Sequence, residues 1–274
     1  NLTSNDLGVD LGTSNVLIYA DGKGLVVREP SVVAIDKNTG KILQVGAAAR
    51  NMLGRTPGNV VAMKPLREGI ISDHEMTVRL LQAMFRSANK SSVFTPKPRV
   101  VISVPSGVSE VEERSVINAA LEAGARRVFL IEEPLAAALG AGLDIKGAKG
   151  HMVVDIGGGT TDIAVLSMNG VAVSSSLKVA GDHMDDLIAR YVRRQHGVAI
   201  GEVTAESVKI QLGRVYPGGE EATLNVKGRD TKTGMPRVVT LLSSEIFEVL
   251  RRPARMIADE VLSVLEQTSP ELVS

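Results

Sequence analysis

No cysteine occurs among the 274 residues. That absence excludes disulfides, cysteine nucleophiles and thiolate metal sites, and it fits a reducing compartment. Net charge is lacking too: 31 Lys and Arg balance 31 Asp and Glu. The chain therefore has no basic field of the kind that wholesale nucleic-acid binding requires, and no nucleic-acid partner is expected. Four histidines, His74, His151, His183 and His196, are scattered without metal-ligand spacing. Each reads as an ordinary solvated or packed side chain. No run of about 18 apolar residues is present, so no segment predicts a membrane-spanning helix. Residues Asn1 to Asp6 are polar, carry no signal-peptide pattern and do not begin with Met, so a trimmed or engineered terminus is expected there. Two common phosphate-binding patterns are also missing: neither G-x-x-x-x-G-K-[ST] nor a G-x-G-x-x-G after a strand occurs.

Hydrophobic residues make up 44% and charged residues 23%, an ordinary globular balance with enough length for two cores. Strand and helix signals alternate. Leu7–Leu11 and Val16–Ala20 read as strands around a tight Gly12-Thr13 turn, and Leu25–Val27 and Ser31–Ile35 continue that sheet past Pro30. Ser72 and Glu75 have capping-box spacing ahead of a helix with Leu81, Met84, Phe85 and Ala88 on one face. Arg99–Val104 reads as a fully buried strand because its apolar run is nearly continuous. Ser109 and Glu112 form a second capping box before Val116, Ala119, Ala120 and Ala123, and Val128–Ile131 is a strand leading to an Ala-rich helix near Pro134. Beyond Gly147 the pattern begins again, with strands at Met152–Ile156, Thr161–Ser167 and Val171–Leu177. A helix with Met184, Leu187, Ile188, Tyr191 and Val192 on its apolar stripe follows, then a helix capped by Thr204 and ending near Leu212. Strands near Ala222–Val226 and Arg237–Leu242 precede a long apolar-striped helix that Pro253 is expected to kink or break. Strands then helices, twice, predict an α/β architecture of two lobes.

The two halves share a short echo. Val9-Asp10-Leu11-Gly12-Thr13 and Val154-Asp155-Ile156-Gly157-Gly158-Gly159-Thr160 each place an aspartate at a strand end before a Gly-rich turn and a second strand. Such self-similarity at domain-scale separation points to duplicated lobes. Glycines let backbone N–H groups approach a polyphosphate without a Cβ in the way. An aspartate at the strand end suits Mg²⁺, held through water. Gly157–Gly159 alone also reads as a plain β-turn. Between the echoes lies Ile131-Glu132-Glu133-Pro134. A carboxylate there can orient or deprotonate a water beside phosphates, or merely complement a helix dipole.

Val9-Asp10-Leu11-Gly12-Thr13-Ser14-Asn15, Glu132-Glu133-Pro134 and Asp155-Ile156-Gly157-Gly158-Gly159-Thr160-Thr161-Asp162 together resemble the signature of actin-like ATPases. More narrowly, the whole chain is similar to the bacterial actins MreB and Mbl. The supporting stretches are Glu29-Pro30-Ser31-Val32-Val33-Ala34, Gly54-Arg55-Thr56-Pro57-Gly58-Asn59, Ala180-Gly181-Asp182, Thr204 to Ile210 and Gly228 to Arg237. The resemblance implies an α/β actin-like ATPase fold: two duplicated lobes of mixed sheet plus helices, with ribonuclease H-like cores around a nucleotide cleft. It implies a first lobe over 1–143 (core 1–32 and 75–143, small insertion 33–74) and a second over 144–274 (core 144–180 and 243–274, small insertion 181–242). The family's adenine-packing Gly-rich turn and its return to the first lobe would lie past Ser274.

Carried over by position, the resemblance implies ATP and Mg²⁺ as cofactors. Asp10 and Asp155 would hold the metal through water, and Gly12, Thr13, Ser14, Asn15, Gly157, Gly158, Gly159 and Thr160 would bind phosphates. Glu133 would act on the catalytic water with Thr160 beside the γ-phosphate. Gly181 would belong to the nucleotide site, and Glu206 and Lys209 would contact ribose and base. Read without the resemblance, Glu206 and Lys209 are equally a surface i,i+3 ion pair. Val93 and Phe94 form a small apolar wedge flanked by Lys90, Lys97 and Arg99. That wedge suits an anionic membrane surface, although Phe94 folding back on the core is the alternative; the resemblance favours the membrane loop. Asn1–Asp6 offers no amphipathic helix, so membrane affinity would depend on avidity within a filament. The resemblance further implies head-to-tail protofilaments, single or double and antiparallel, at the inner face of the cytoplasmic membrane with cell-wall elongation proteins as partners. A sugar- or acetate-kinase activity on the same fold would need a second substrate pocket with its own base, for which the sequence offers no separate candidate. A chaperone-type ATPase would need a further substrate-binding domain, and an inactive nucleotide-binding fragment is the remaining alternative.

Overall fold

Leu7, Val9 and Leu11 alternate with Gly8 and Asp10, and Val16, Ile18 and Ala20 alternate with Leu17 and Tyr19. Period-two alternation makes strands with one buried face. In the computed structural model, which describes residues 6–54, 58–89 and 97–273, these residues form β1 (Asp6–Leu11) and β2 (Asn15–Ala20), paired antiparallel. Next come β3 (Gly24–Pro30), β4 (Val33–Asp36), β5 (Ile42–Val45), α1 (Ala47–Arg50) and β6 (Val60–Met63). The short pair β7 (Leu66–Arg67) and β8 (Ile70–Ile71) leads into α2 (His74–Ala88), β9 (Arg99–Val104), α3 (Glu110–Glu122), β10 (Arg127–Glu132) and α4 (Glu133–Gly140).

The main sheet has the order β10-β9-β1-β2-β3. Strands β9 and β10 run parallel to β1, because a crossover helix precedes each return to the sheet. Leu80, Leu81, Met84 and Phe85 of α2 and Ala119 and Ala120 of α3 pack on Ile18, Val100 and Ile102. A separate small sheet, β5-β4-β6, stands on the first lobe.

The second lobe repeats the plan. Strands β11 (His151–Ile156), β12 (Thr161–Ser167) and β13 (Gly170–Leu177) form an antiparallel meander, like β1-β2-β3. After it come α5 (Gly181–His196), β14 (Val198–Ala199), α6 (Glu202–Leu212), β15 (Thr223–Asp230), β16 (Pro236–Leu242), α7 (Ser243–Gln267) and α8 (Pro270–Val273). The small sheet β14-β15-β16 joins α5, α6 and the first half of α7 through Ile188, Val208, Leu241, Ile246 and Leu250. Farther along α7, Val264 packs on Ile163 and Val165 of the meander.

Several local expectations are corrected. Helix α2 is capped by Asp73, whose Oδ1 accepts from the Met76 N–H at 3.0 Å. Ser72 folds back instead and donates to the Pro65 carbonyl at 3.0 Å; a carboxylate is the stronger acceptor for the orphan N–H groups. Helix α6 begins at Glu202 with Gly201 as its N-cap, so Thr204 lies inside the first turn. Helix α7 runs unbroken through Pro253. The lost hydrogen bond is tolerated because Ile246 and Leu250 before the proline, and Ile257 and Val264 after it, are all buried. Ser31 does not continue the main sheet: β4 starts at Val33 and pairs with β5 and β6. The Ser109–Glu112 capping box forms as expected.

Strand β9 is not buried on both faces. Val100, Ile102 and Val104 are buried, whereas Val101 is 41% exposed. Val101 lies in register with Phe129 on β10 and Gly8 on β1, and Gly8 lies beside Tyr19 on β2. The sheet face turned away from α2 and α3 therefore carries an open apolar row through Phe129, Val101 and Tyr19. Ile102→Ala is expected to cost about 2–5 kcal/mol and Val101→Ala less than about 1 kcal/mol. Urea unfolding of both variants checks this, and equal costs would contradict the one-sided burial of β9.

Candidate functional site

Each meander turns at glycine, and the two turns meet. Between β1 and β2 the turn is Gly12-Thr13-Ser14. Its position is fixed from outside by Ser31, whose Oγ donates to the Gly12 carbonyl at 2.6 Å and whose N–H donates to the Ser14 carbonyl at 3.0 Å. Between β11 and β12 the turn Gly157–Thr160 is closed by the Gly157 N–H donating to the Thr160 carbonyl at 2.9 Å. A Cβ on Gly158 would collide with Ser14 Oγ, and one on Gly159 would sit 2.8 Å from the Gly69 nitrogen as well as against Thr13 Oγ1. Thr13 Oγ1 accepts from the Gly69 N–H at 2.9 Å. Glycine here is a packing requirement: the second turn lies so close to the Ser14 and Thr13 side chains and the Gly69 main chain that a Cβ has no room.

Helix α5 starts against the second turn. Its first N–H groups have no partner inside the helix; Gly181 N–H donates to the Gly157 carbonyl at 3.1 Å and Asp182 N–H to the Gly158 carbonyl at 2.8 Å. Gly181 is thereby held against the turn, and Lys209 Nζ donates to its carbonyl at 2.9 Å.

A cleft of about 520 Å³ opens over both turns, and Asp10, Glu133, Asp155 and Thr160 line it together with Gly12 to Asn15 and Gly157 to Gly159. Its floor is acidic. Desolvation, then the Asp155 charge, raises Asp10 above the ordinary aspartate value. Desolvation and the charge of Asp162 do the same to Asp155. Glu133, the first residue of α4, is pushed up to about 8 by burial, followed by the charges of Asp162, Asp10 and Asp155. Asp162 itself is only 1% exposed. One of its oxygens accepts from the Ser106 N–H at 2.8 Å, and the other has no hydrogen-bond partner among the described residues. Ser106 Oγ in turn donates to Glu132 Oε2 at 2.9 Å.

The structure thus gathers Asp10, Gly12–Asn15, Glu133, Asp155 and Gly157–Thr160 around one space, with Gly181 and Lys209 behind the second turn. Glu206 lies at the side, with Ser14, Asn15, Arg50 and Lys64. Glu206 and Lys209 do not pair with each other. Glu206 pairs with Arg50 across the cleft, while Lys209 contacts Asp185 at 2.9 Å. Burial pushes Asp185 up to about 6, against the opposing pull of Lys209. Val93 and Phe94 lie outside the described residues. Among the described residues no group of three or more acidic or histidine side chains is arranged to grip a metal directly, and no helix is long and apolar enough to cross a membrane.

The sequence pointed to Asp162 within a motif but gave it no role, and Arg50, Lys64, Ser106 and Asp185 were passed over. A signal existed for Asp185: it falls three residues before Ile188 and seven before Val192, on the apolar stripe of α5, where an unpaired carboxylate is costly. For Arg50 and Lys64 no local pattern exists, because their partners lie more than 100 residues away.

Comparison with known proteins gives one answer. The family model described as MreB/Mbl protein matches residues 4–274. The chain is 50% identical over 269 residues to a cell shape-determining protein Mbl of Bacillus cereus, covering 98% of this chain and 80% of that protein. It is 50% identical over 275 residues to the cell shape-determining protein MreB of Escherichia coli, covering 99% and 79%. Among solved structures it superposes on MreB5 of Spiroplasma citri bound to AMPPNP with a TM-score of 0.92, at 40% identity, covering 99% of this chain and 81% of that one. A MamK double helical filament subunit shares the fold at a TM-score of 0.82 and 23% identity, covering 98% and 82%. With its two duplicated lobes in the actin-like arrangement, this chain belongs to the MreB/Mbl family.

Proposed function

We propose that this chain is a bacterial actin-like cytoskeletal ATPase that binds Mg-ATP, polymerises into membrane-associated filaments and maintains rod cell shape by organising cell-wall synthesis. One observation carries the reading: two glycine turns, each following a strand-end aspartate, converge on a single cleft with Glu133 on its floor. Support comes from the S. citri MreB5 structures with AMPPNP and ADP and from the cell-shape role named for the B. cereus and E. coli relatives. The lobes divide at 143/144 in this reading, with small subdomains inserted at 33–74 and 181–242.

In the proposed mechanism the N–H groups of Gly12–Asn15 and Gly157–Thr160 receive the β- and γ-phosphates. Gly181, Glu206 and Lys209 lie toward the ribose and base. Asp10 and Asp155, one from each turn, face each other across a floor where the strongest charges acting on Glu133 are all negative, a donor set suited to a divalent cation. Mg²⁺ held there through water would neutralise charge on the transferring phosphoryl group. With a cation there to offset the negative charges that keep it protonated, Glu133, ionised, would orient the attacking water and accept its proton while the Thr160 hydroxyl holds that water in line. Membrane attachment is assigned to the Val93–Phe94 loop, and assembly to repeated head-to-tail contacts that do not close.

Three outcomes are expected. Sedimentation with anionic liposomes should give ATP-dependent pelleting together with phosphate release; protein that stays in the supernatant without turnover would refute the filament-forming ATPase. Glu133→Ala should slow phosphate release by about 10²–10³-fold with ATP affinity nearly unchanged, and unaltered release would remove Glu133 from catalysis. Glu133 is held at about 8 against an ordinary 4.5, so the folded state keeps a proton that the unfolded chain gives up. The stability tied to that proton is complete below the lower value and lost as pH rises through the upper one. In metal-free buffer Glu133→Gln should therefore flatten the fall in melting temperature across that range and raise stability at its alkaline end by up to about 5 kcal/mol. A pH profile identical to the parent's would show that Glu133 is not the group responsible.

A further inference from the structure

The lobes meet a second time above the cleft floor, and there the contact is ionic. Lys64 follows β6 directly; its Nζ lies 3.1 Å from Asp182 Oδ2 and also pairs with Glu202. Asp182 is the second residue of α5 and Glu202 the first of α6. Both carboxylates thus sit on helix N-terminal turns, where free N–H groups favour negative charge. Only 17% of the Lys64 side chain is exposed, and lysine is rarely that enclosed unless paired. Burial pulls its pKa down, but Asp182 and Glu202 outweigh that pull and hold it above the ordinary lysine value. Arg50, at the end of α1, makes a parallel bridge to Glu206 on α6. The remaining oxygen of Asp182 accepts from Ser14 Oγ at 3.0 Å, which ties the bridge to the first glycine turn.

These contacts differ from scattered surface pairs. Lys64 and Asp182 stand 118 residues apart on different lobes, so the bridge exists only when the lobes are closed. Its charges are sorted, with cations on the first lobe and anions on the second. A further cross-lobe pair, Lys178 with Glu68, reverses that order, but its side chains are 64% and 56% exposed, and such pairs contribute little. With Lys64 removed, closure would partly cover Asp182 and Glu202, which keep 31% and 45% of their side-chain exposure in the closed arrangement, with no cation facing them from the first lobe.

We infer that Lys64, bridging Asp182 and Glu202, is the latch that holds the two lobes closed over the cleft, with Arg50–Glu206 as its second point. The latch slows escape of whatever the cleft contains. That consequence rests on the nucleotide reading above, whereas closure itself does not.

The test exploits the cysteine-free sequence. Cysteines introduced at the exposed Asn38 and Lys232, one on each small sheet, accept a donor and acceptor dye and report lobe separation without nucleotide. Lys64→Met should lower energy transfer in low salt, and 1 M NaCl should bring the parent to the same level. The pair Asp182→Asn with Glu202→Gln, made from the other lobe, should reproduce the opening. The swap Lys64→Glu with Glu202→Lys, made with Asp182→Asn to remove the remaining like charge, should recover most of the transfer that Lys64→Glu alone loses. In parallel, release of a fluorescent ATP analogue should accelerate on the order of tenfold in Lys64→Met at low salt. Unchanged transfer in both Lys64→Met and the double variant overturns the latch, as does a swap that fails to recover it. Failure of the analogue to bind any variant, parent included, counts against the nucleotide reading and leaves the energy-transfer result to decide the latch.

Discussion

A glycine turn packed tightly against the opposite lobe sets the geometry of this molecule. Gly158 and Gly159 approach the Ser14 and Thr13 side chains and the Gly69 main chain more closely than any Cβ allows, so the spacing of the lobes at the cleft floor is one that only glycine permits. Much else is arranged around that contact. Ser31 holds the first turn from outside, the carbonyls of the second turn complete the N-terminus of α5, and Ser106 and Asp162 join the lobes just beneath. Close contacts of this kind have few alternative geometries, which suits a site whose donors must be in place before a ligand arrives.

The same closeness gathers negative charge. Asp10, Asp155, Asp162 and Glu133 share the floor, and three of them are shifted toward their neutral forms by desolvation and by one another. An array of mutually repelling carboxylates is poor for stability, and perturbed groups of this kind cluster at functional sites. At the rim the arrangement reverses: Lys64 and Arg50 meet the carboxylates of α5 and α6 in opposite-sign pairs across the gap. Under the proposed latch, repulsion at the floor and attraction at the rim would make lobe closure sensitive to both ligand charge and salt.

How much of this was legible in the sequence differs from element to element. The meanders were, because alternation at Leu7–Leu11 and Thr161–Ser167 and the glycines between strands are local signals. The helices were found, but their first residues were misjudged at Asp73 and Gly201, where several polar or small residues compete for the cap within two or three positions. The one-sided burial of β9 was missed because Val100-Val101-Ile102 carries no alternation that would tell one face from the other. For the candidate site, both glycine turns, both strand-end aspartates and Glu133 were identified and lie around one cleft.

What the sequence determined by itself was the family, the strand–turn–strand units and the identity of residues that need glycine or a carboxylate, since each depends on chemistry within a few positions along the chain. The tertiary structure alone decided which residues complete these units. Asp162 and Asp185 have local signals, one in a motif and one on an apolar stripe, but their places beneath Glu133 and against Lys209 do not; Lys64 and Arg50, reaching from one lobe to the other, have no local period or motif at all. Their partners are close in space and mostly distant in sequence, and an interaction across that separation exists only after two independently packed lobes have been brought face to face.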